Sequence, residues 1–357
     1  MMLPLLLAAQ VPPPVVVSSA PPLGALVTWR LGDVRCGGEV VAPVRAELPL
    51  AAPGWAGSGD STTTLRFRID ADGRAVGIGA SPGFGAERDL APALAATRFA
   101  AGLPRDECRA GYVATRTPIA EAPIDALMRY TIFPQQRPTA AIWDRVRSAG
   151  ACATTPPALR SRAFPDFDAI PQPPATFAWS MIGFDIDERG HPVRARVVTG
   201  SGNRALDDAA VDAVERSRFA AGARTGCLYP YWRRGPVLAA PAPVDKEALR
   251  PADATCPASR EWARAPVLSY PDAFRRRGIE GWAIVAFDVA PWGETGNVRV
   301  LSAEPAAAFG EEAVGIIRRA AAKPGAGGTG CIERVRFSMG VPGGRGQVPA
   351  DEAPPPY

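Results

Sequence analysis

Six cysteines at a recurring spacing constrain this chain of 357 residues more than any other feature. Taken in consecutive pairs, they are separated by 72, 75 and 75 residues. Six cysteines can pair in many ways, and a constant separation favours one bridge in each of three repeated units. The predicted bridges are Cys36–Cys108, Cys152–Cys227 and Cys256–Cys331.

The same cysteines indicate a cellular compartment. They form no CxxC cluster, which argues against a zinc site. Disulfides persist in oxidising compartments such as the bacterial periplasm. We therefore expect an exported protein; the alternative is a cytosolic protein with six buried free thiols.

The stretches around the first two cysteine pairs have the same order of predicted elements: strand, turn, strand, helix. In the first they are 64–69, 70–73, 76–80 and 87–99, and in the second 177–186, 187–190, 193–199 and 205–219. The pentapeptide Arg98-Phe99-Ala100-Ala101-Gly102 recurs as Arg218-Phe219-Ala220-Ala221-Gly222. Repeats at this spacing indicate tandem domains, because solenoid units are shorter.

The stretch around the third cysteine pair has the clearest pattern of predicted elements. It predicts a short helix within 270–281, strands at 282–289 and 297–302, a helix at 309–322 and a last strand at 332–339. Apolar residues form one stripe of the second helix: Phe309, Ala313, Ile316, Ile317 and Ala320. One face of the first strand is also apolar: Ala283, Val285, Phe287 and Val289. A helix stripe packed on a small antiparallel sheet gives a two-layer α+β domain.

The predicted fold class is therefore α+β: three tandem small two-layer domains, each a short antiparallel sheet with a packed helix and one disulfide. We call them unit 1 (23–121), unit 2 (151–235) and unit 3 (251–340). Between them we expect a connector at 122–150, with a helix near 140–148, and a Pro/Ala linker at 236–250. A disordered Gly/Pro-rich tail is expected at 341–357.

The beginning of the chain resembles a secretory signal. Residues 1–10 are an apolar run that ends in small residues, and a Pro-rich start continues to residue 22. The alternative is an unstructured N-terminus. The run is too short to span a bilayer, so we expect no stable membrane insertion.

Several features that suggest catalysis or ligand binding have simpler interpretations. Residues 325–330 fit GxGxxG, but they follow a helix and precede a strand, the reverse of the dinucleotide fingerprint. His191 is the only histidine and lies in a predicted turn, so we expect it to be solvent-exposed. Arg275, Arg276 and Arg277 are interpreted as a solvated helix end. The net charge of +4 without a basic stripe gives no support for nucleic-acid binding.

One feature favours binding of a protein. The last strand of a three-stranded sheet can lie at the edge and pair with an extended peptide. Glu333, Arg334 and Arg336 would then flank the added strand. The alternative is that these charges only protect the edge against aggregation.

Unit 3 resembles the C-terminal domain of TonB-type energy transducers. The resemblance is carried by Tyr270-Pro271, Ala273, Gly278-Ile279, Gly281, the run 298–302 and the run 335–337. It implies a TonB-C-like fold for unit 3 and, through the repeats, for units 1 and 2, with unit 3 the best preserved. It also implies a periplasmic location and pairing with a segment of an outer-membrane receptor. The candidate contacts are then Tyr270, Pro271 and the strand 333–338.

The leading functional hypothesis is a soluble periplasmic, non-catalytic protein-binding module of the cell envelope that binds by β-strand addition. Its partners would be envelope proteins, including an outer-membrane receptor segment; no nucleic acid, cofactor or metal is expected. The alternative is a TonB-type energy transducer whose membrane anchor lies upstream of Met1. A third hypothesis is an enzyme with a site between domains, in which His191 would be required.

The domain hypothesis predicts a disulfide map. Peptide mapping without reduction should recover Cys36–Cys108, Cys152–Cys227 and Cys256–Cys331. Any bridge between two units would contradict the three-unit division.

Overall fold

The computed structural model describes residues 24–54, 61–80, 89–257, 260–325 and 327–339. The predicted signal segment and the predicted tail lie outside these residues. Among the helices described, none has the length and apolar character needed to cross a membrane.

Unit 1 is built on one antiparallel sheet. Its elements are β1 (Ala25–Cys36), β2 (Glu39–Val40), β3 (Ala52–Gly54), β4 (Ser61–Ile69), β5 (Ala75–Ala80), α1 (Leu90–Ala96) and β6 (Arg105–Pro118). The strand order is β2-β1-β6-β4-β5, and β3 pairs with β1. The predicted strands are confirmed, and the predicted helix is shorter. The sequence analysis missed β1, although Val27 and Trp29 are buried while Arg30 is exposed, as alternation in a strand requires.

The connector contains helices that pack against unit 2. They are α2 (Ile124–Ile132), α3 (Ala140–Val146) and α4 (Gly150–Thr154). The predicted helix near 140–148 is confirmed as α3, whereas α2 was missed. Leu127, Ile142 and Val146 share one apolar cluster with Trp179 and Met181.

Unit 2 has the predicted order of elements. They are β7 (Leu159–Ser161), β8 (Phe177–Ile186), β9 (Pro192–Gly200), α5 (Arg204–Arg216), β10 (Arg218–Phe219) and β11 (Arg224–Arg234). The main sheet has the order β11-β8-β9, and β10 pairs with β7. The Asn203 side chain accepts a hydrogen bond from the Leu206 N–H and begins α5. The helix ends before Phe219, because that residue enters a strand and its ring packs on Phe184.

Unit 3 also has the predicted order. Its elements are β12 (Trp262–Arg264), α6 (Asp272–Arg277), β13 (Gly281–Val289), β14 (Thr295–Glu304), α7 (Ala307–Arg319), β15 (Ala321–Ala322) and β16 (Gly328–Phe337). The sheet has the order β14-β13-β16, and β12 pairs with β15. Every residue of the predicted helix stripe is buried.

The sheet of unit 3 is covered on both faces, whereas the sequence predicted one apolar face. Trp282 and Ile284 point away from α7 and are nevertheless buried. The linker 236–250 crosses this second face: Trp282 Nε1–H donates to the Pro241 oxygen at 2.8 Å. Arg334 Nη2 donates to the Val244 oxygen at 2.6 Å. The linker is therefore part of the packed structure of unit 3.

The same tight turn recurs in all three units. Gly73, Gly190 and Gly293 have φ of +74°, +87° and +101°. A Cβ on any of them would lie 2.1 to 2.2 Å from a backbone oxygen of the segment that follows the unit's helix. Glycine is therefore required at each position both by φ and by this close approach. The shared geometry supports the alignment of the three units made from sequence.

The three predicted disulfides are confirmed. In each, the second cysteine lies near the beginning of the last strand of its unit. The first cysteine lies in β1, in α4 or in the segment before β12. Each bridge therefore fixes an upstream segment against the last strand.

Units 1 and 3 share one apolar core, and a buried ion cluster joins them. Arg277 of α6 has no exposed side-chain surface, and its Nη2 and Nε contact the two carboxylate oxygens of Asp89 at 2.6 and 2.8 Å. Its Nη1 contacts Glu47 at 3.1 Å. The interpretation of Arg277 as solvated is wrong, although Arg275 is exposed. Burial alone would lower the pKa of Arg277, but Asp89 and Glu47 raise it overall.

This cluster predicts a large difference between two arginines of one short helix. Arg277→Ala leaves Asp89 buried without its partner, so we expect a loss of about 3–5 kcal/mol in the free energy of unfolding. Arg275→Ala removes only an exposed pair with Asp272, and should cost less than about 1 kcal/mol. Denaturant unfolding of both variants tests this. Equal small losses would contradict a structural role for the cluster.

Candidate functional site

The last strand of unit 3, β16, lies at the edge of its sheet. It pairs with β13 in a regular register from Gly281↔Phe337 to Phe287↔Cys331. In an antiparallel edge strand, alternate residues direct their N–H and C=O groups away from the partner. On β16 these are Ile332, Arg334 and Arg336: the Ile332 oxygen accepts from Arg260, and the Arg334 N–H donates to the Glu333 carboxylate.

The corresponding edge is occupied in unit 1. There β6 pairs with β4 on one side and with β1 on the other. The pairing with β1 extends from Ala25↔Pro118 to Cys36↔Cys108. A strand of the same chain thus covers the whole edge of β6, and an external strand cannot add to it.

In unit 2 the edge is blocked in a different way. The Ala149 N–H donates to the Gly226 oxygen at 3.0 Å, and the Leu228 N–H donates to Ser148 Oγ at 3.2 Å. Two residues beyond Leu228 lies Pro230, which has no N–H to offer on this edge. A proline at an edge is a common protection against strand pairing.

In unit 3 only the first part of β16 is covered. The N–H groups of Thr255 and Cys256 both donate to the Thr329 oxygen, at 3.0 and 3.1 Å. The Arg260 side chain then occupies the Ile332 oxygen at 3.1 Å. The Arg334 N–H is also occupied, by the Glu333 carboxylate. The outward groups that remain in the described part of the strand are the Arg334 oxygen and the N–H and oxygen of Arg336, and the segment that holds them, Arg334–Phe337, is called the open edge below.

Arg260 closes the covered part of this edge. Its side chain is 8% exposed and lies within 3.5 Å of the Glu333 carboxylate. The guanidinium lies over the ring of Phe287, 4.8 Å from the centroid. Burial lowers the pKa of Arg260 while Glu333 raises it; the residue therefore acts as a packed cation held between an aromatic ring and a carboxylate.

A groove lies beside the open edge, on the side of α7. It has a volume of about 260 Å³. Its lining residues are Trp262, Pro266, Leu268, Ile316, Ile317, Glu333, Arg334 and Val335. Leu268, in its lining, is 51% exposed, and the neighbouring Val267 is 74% exposed. Side chains of an added strand that point toward α7 would enter this apolar groove.

The predicted contact residues Tyr270 and Pro271 do not lie on the open edge. The Tyr270 hydroxyl donates to the Ile279 oxygen at 2.7 Å and to the Phe337 oxygen at 3.3 Å. Its ring meets the rings of Phe309 and Phe337 edge-on, and burial raises the pKa of the hydroxyl. Pro271 precedes the first residue of α6. Tyr270 therefore supports the end of β16, and Pro271 forms the beginning of α6.

The predicted residues of the strand differ in their surroundings. Arg336 is exposed. Arg334 is held by the Val244 oxygen, and Glu333 by Arg260. The sequence analysis missed Arg260 and the groove, because residues 260–268 have no strand periodicity and reach β16 only through tertiary packing.

The beginning of β16 is fixed by a partly buried hydrogen bond to a carboxylate. Asp288 accepts from the Gly330 N–H at 2.9 Å and from Asn297 Nδ2 at 2.7 Å. The Asn297 and Gly330 bonds lower the pKa of Asp288. In unit 2, Asp185 accepts from the Gly226 N–H at 2.7 Å in the same way.

The fold and the site define a small α+β module with an open strand edge. Two segments of the chain, residues 179–236 and 266–339, match the family described as Gram-negative bacterial TonB protein C-terminal. These segments lie in units 2 and 3, and unit 1 lies outside both.

Two curated relatives are similar to part of the chain. Protein TonB of Escherichia coli (strain K12) is 39% identical over 70 residues, which are 20% of this chain and 29% of that protein. Protein TonB of Klebsiella pneumoniae is 31% identical over 110 residues, 31% of this chain and 45% of that protein. The chain thus spans less than half the length of the curated relatives it matches. These comparisons show similarity to the TonB C-terminal domain in two segments of the chain.

The hydrogen bonds of Asp288 predict that the stability of the fold depends on pH. A carboxylate with a lowered pKa contributes stability above its ordinary value, near 3.8, and loses it as the pH falls through the folded value. The difference in melting temperature between the wild type and Asp288→Asn should therefore be largest near neutral pH and disappear in acid. Thermal unfolding across this range tests it; a pH-independent difference would contradict a role for the charge.

Proposed function

We propose that this chain is a periplasmic, non-catalytic protein-binding module of the cell envelope. It binds a partner by adding an extended segment of that partner to β16. The observation that carries the proposal is the open edge Arg334–Phe337 with an apolar groove beside it. Main-chain hydrogen bonds then give affinity, and the groove selects side chains.

The edge also suggests the chemistry of the partner segment. Val335 and Phe337 point toward α7 and are buried, whereas Arg336 points to the other face and is exposed. Successive residues of an added strand alternate between these faces. We therefore expect apolar residues at alternate positions facing the groove, and acidic or polar residues facing Arg336.

Within this proposal the chain contains three tandem TonB-C-like domains, and unit 3 is the best preserved. The recurring glycine turn and the three disulfides support the repeat. Units 1 and 2 have occupied or blocked edges, so they serve as a scaffold and unit 3 binds. The outer-membrane receptor segment is one candidate partner.

The alternative is a TonB-type energy transducer. It is favoured by the 39% identity to Protein TonB of Escherichia coli over 70 residues. A hydrophobic helix encoded in frame upstream of Met1 would support a transducer. The binding proposal needs no such helix.

The binding proposal predicts that a proline at the open edge abolishes capture of the partner. Arg336→Pro removes an outward N–H without removing a bond to β13. A photo-crosslinking residue at the exposed position 338 should capture a defined envelope protein from periplasm with the wild-type chain, and lose it in this variant.

The matched control is Arg336→Ala, which removes the charge but keeps the N–H. It should retain most of the capture, because the main chain supplies the pairing. Both variants are first shown to unfold cooperatively. Equal capture by Arg336→Pro and the wild type would contradict strand addition at this edge.

A further inference from the structure

Three arginines of unit 1 lie directly opposite one another on adjacent chain segments. Arg45 and Arg98 exchange both backbone hydrogen bonds, at 3.1 and 2.9 Å. Arg74 pairs with Arg98 on its other side. Residues opposite each other in antiparallel segments direct their side chains to the same face. The three guanidinium groups therefore share one face; we call them the arginine row.

The arginine row has no carboxylate partner in the described part of the chain. None of the ion pairs found there includes any of its members. The pKa of Arg98 is lowered by burial and by the charges of Arg74 and Arg45, and Asp70 opposes this only in part. Like charges placed opposite each other are destabilising, and a bound anion would offset this repulsion.

Some donors of the arginine row already bind backbone oxygens. Arg98 Nη1 donates to the oxygens of Ala95 and Thr97 at 3.1 Å, and Arg45 Nη2 donates to the Ala96 oxygen at 2.9 Å. These bonds satisfy the last carbonyls of α1. Arg45 Nε is buried and has no hydrogen-bond partner. Arg74 Nη2 donates to the Ala239 oxygen at 3.5 Å. A guanidinium has five N–H donors, so most donors of the row are still available to a ligand.

Units 2 and 3 show that the fold does not need three arginines here. The equivalent residues are Ser161, Arg218 and His191 in unit 2, and Arg264, Ala321 and Glu294 in unit 3. Arg218 Nη1 donates to the oxygens of Glu215 and Ser217, as Arg98 does to its own helix end. One arginine is therefore enough to satisfy these carbonyls.

We propose that Arg45, Arg74 and Arg98 form a binding site for a multivalent oxyanion of the phosphate class. Guanidinium groups bind phosphate oxygens through paired, charge-assisted hydrogen bonds, and three of them on one face match a group with several oxygens. The ligand is free phosphate or the phosphate of a lipid headgroup. This site is separate from the open edge of unit 3 and goes beyond the proposed function.

The test measures stabilisation of the full chain by inorganic phosphate. Sodium phosphate at low millimolar concentration, with sodium chloride at matched ionic strength as reference, should raise the melting temperature to a plateau. In the double variant Arg45→Ser, Arg74→Ser the apparent affinity should fall by roughly tenfold or more, because charge-assisted hydrogen bonds are lost. The control is Arg30→Ser, Arg109→Ser, which removes two exposed arginines of the same sheet.

The control should respond to phosphate as the wild type does. A second arm measures sedimentation with vesicles of phosphatidylglycerol, with phosphatidylcholine vesicles as reference. Vesicle binding that the double variant loses identifies a lipid headgroup as the source; a phosphate response without vesicle binding identifies free phosphate. The proposal is overturned if neither arm distinguishes the wild type from the double variant, including the case in which both respond equally to phosphate.

Discussion

The arrangement of this molecule depends on one buried cation. Moving a guanidinium group out of water costs roughly several kcal/mol unless its charge is paired and its N–H groups are hydrogen-bonded. Arg277 meets this condition through Asp89 and Glu47, through two backbone oxygens, and through the ring of Phe177, 5.1 Å from its guanidinium carbon. Its partners come from the beginning of α1, from the segment before β3 and from unit 2. The position of α6, and with it the sheet of unit 3, is thereby fixed relative to the rest of the chain.

A second contact between units 1 and 3 strengthens this arrangement. Glu304 forms an ion pair with Arg68 at 2.5 Å and accepts from the Gly77 N–H. The residues that match Arg68 in units 2 and 3 are Asp185 and Asp288. Each accepts a hydrogen bond from a backbone N–H of the last strand of its own unit. In unit 1 the same position is used for a contact with another unit. Residues at matching positions of the three sheets thus make different contacts.

The sequence predicts those features that depend on local pattern. The cysteine pairing, the element order of units 2 and 3 and the buried stripe of α7 follow from spacing and periodicity. Features that depend on tertiary packing were missed. Arg277 lies two residues after Arg275 in the same short run of arginines, and its buried contact with the carboxylate of Asp89, far away in sequence, distinguishes the two. Likewise, Trp282 donates a hydrogen bond to a linker that the sequence indicates only as Pro-rich.

The candidate site could be predicted only in part, for the same reason. Glu333, Arg334 and Arg336 follow from their position on a last strand that is at an edge. Whether such an edge is open depends on whether another segment of the chain packs against it. Arg260 donates to the Ile332 oxygen although the two residues are 72 positions apart in sequence. No local sequence pattern predicts that contact.

The chain upstream of each first cysteine explains why the three edges differ. Before Cys36 this stretch is the 12-residue β1, which contains no proline and covers β6. Before Cys152 it forms α3 and α4, which cap only one end of β11. Before Cys256 it contains Pro236, Pro241, Pro243 and Pro251. Proline has no N–H for a strand ladder, so this stretch cannot pair along β16 and instead crosses the far face of the sheet. The composition of the linker is therefore the physical reason why unit 3 has an open edge.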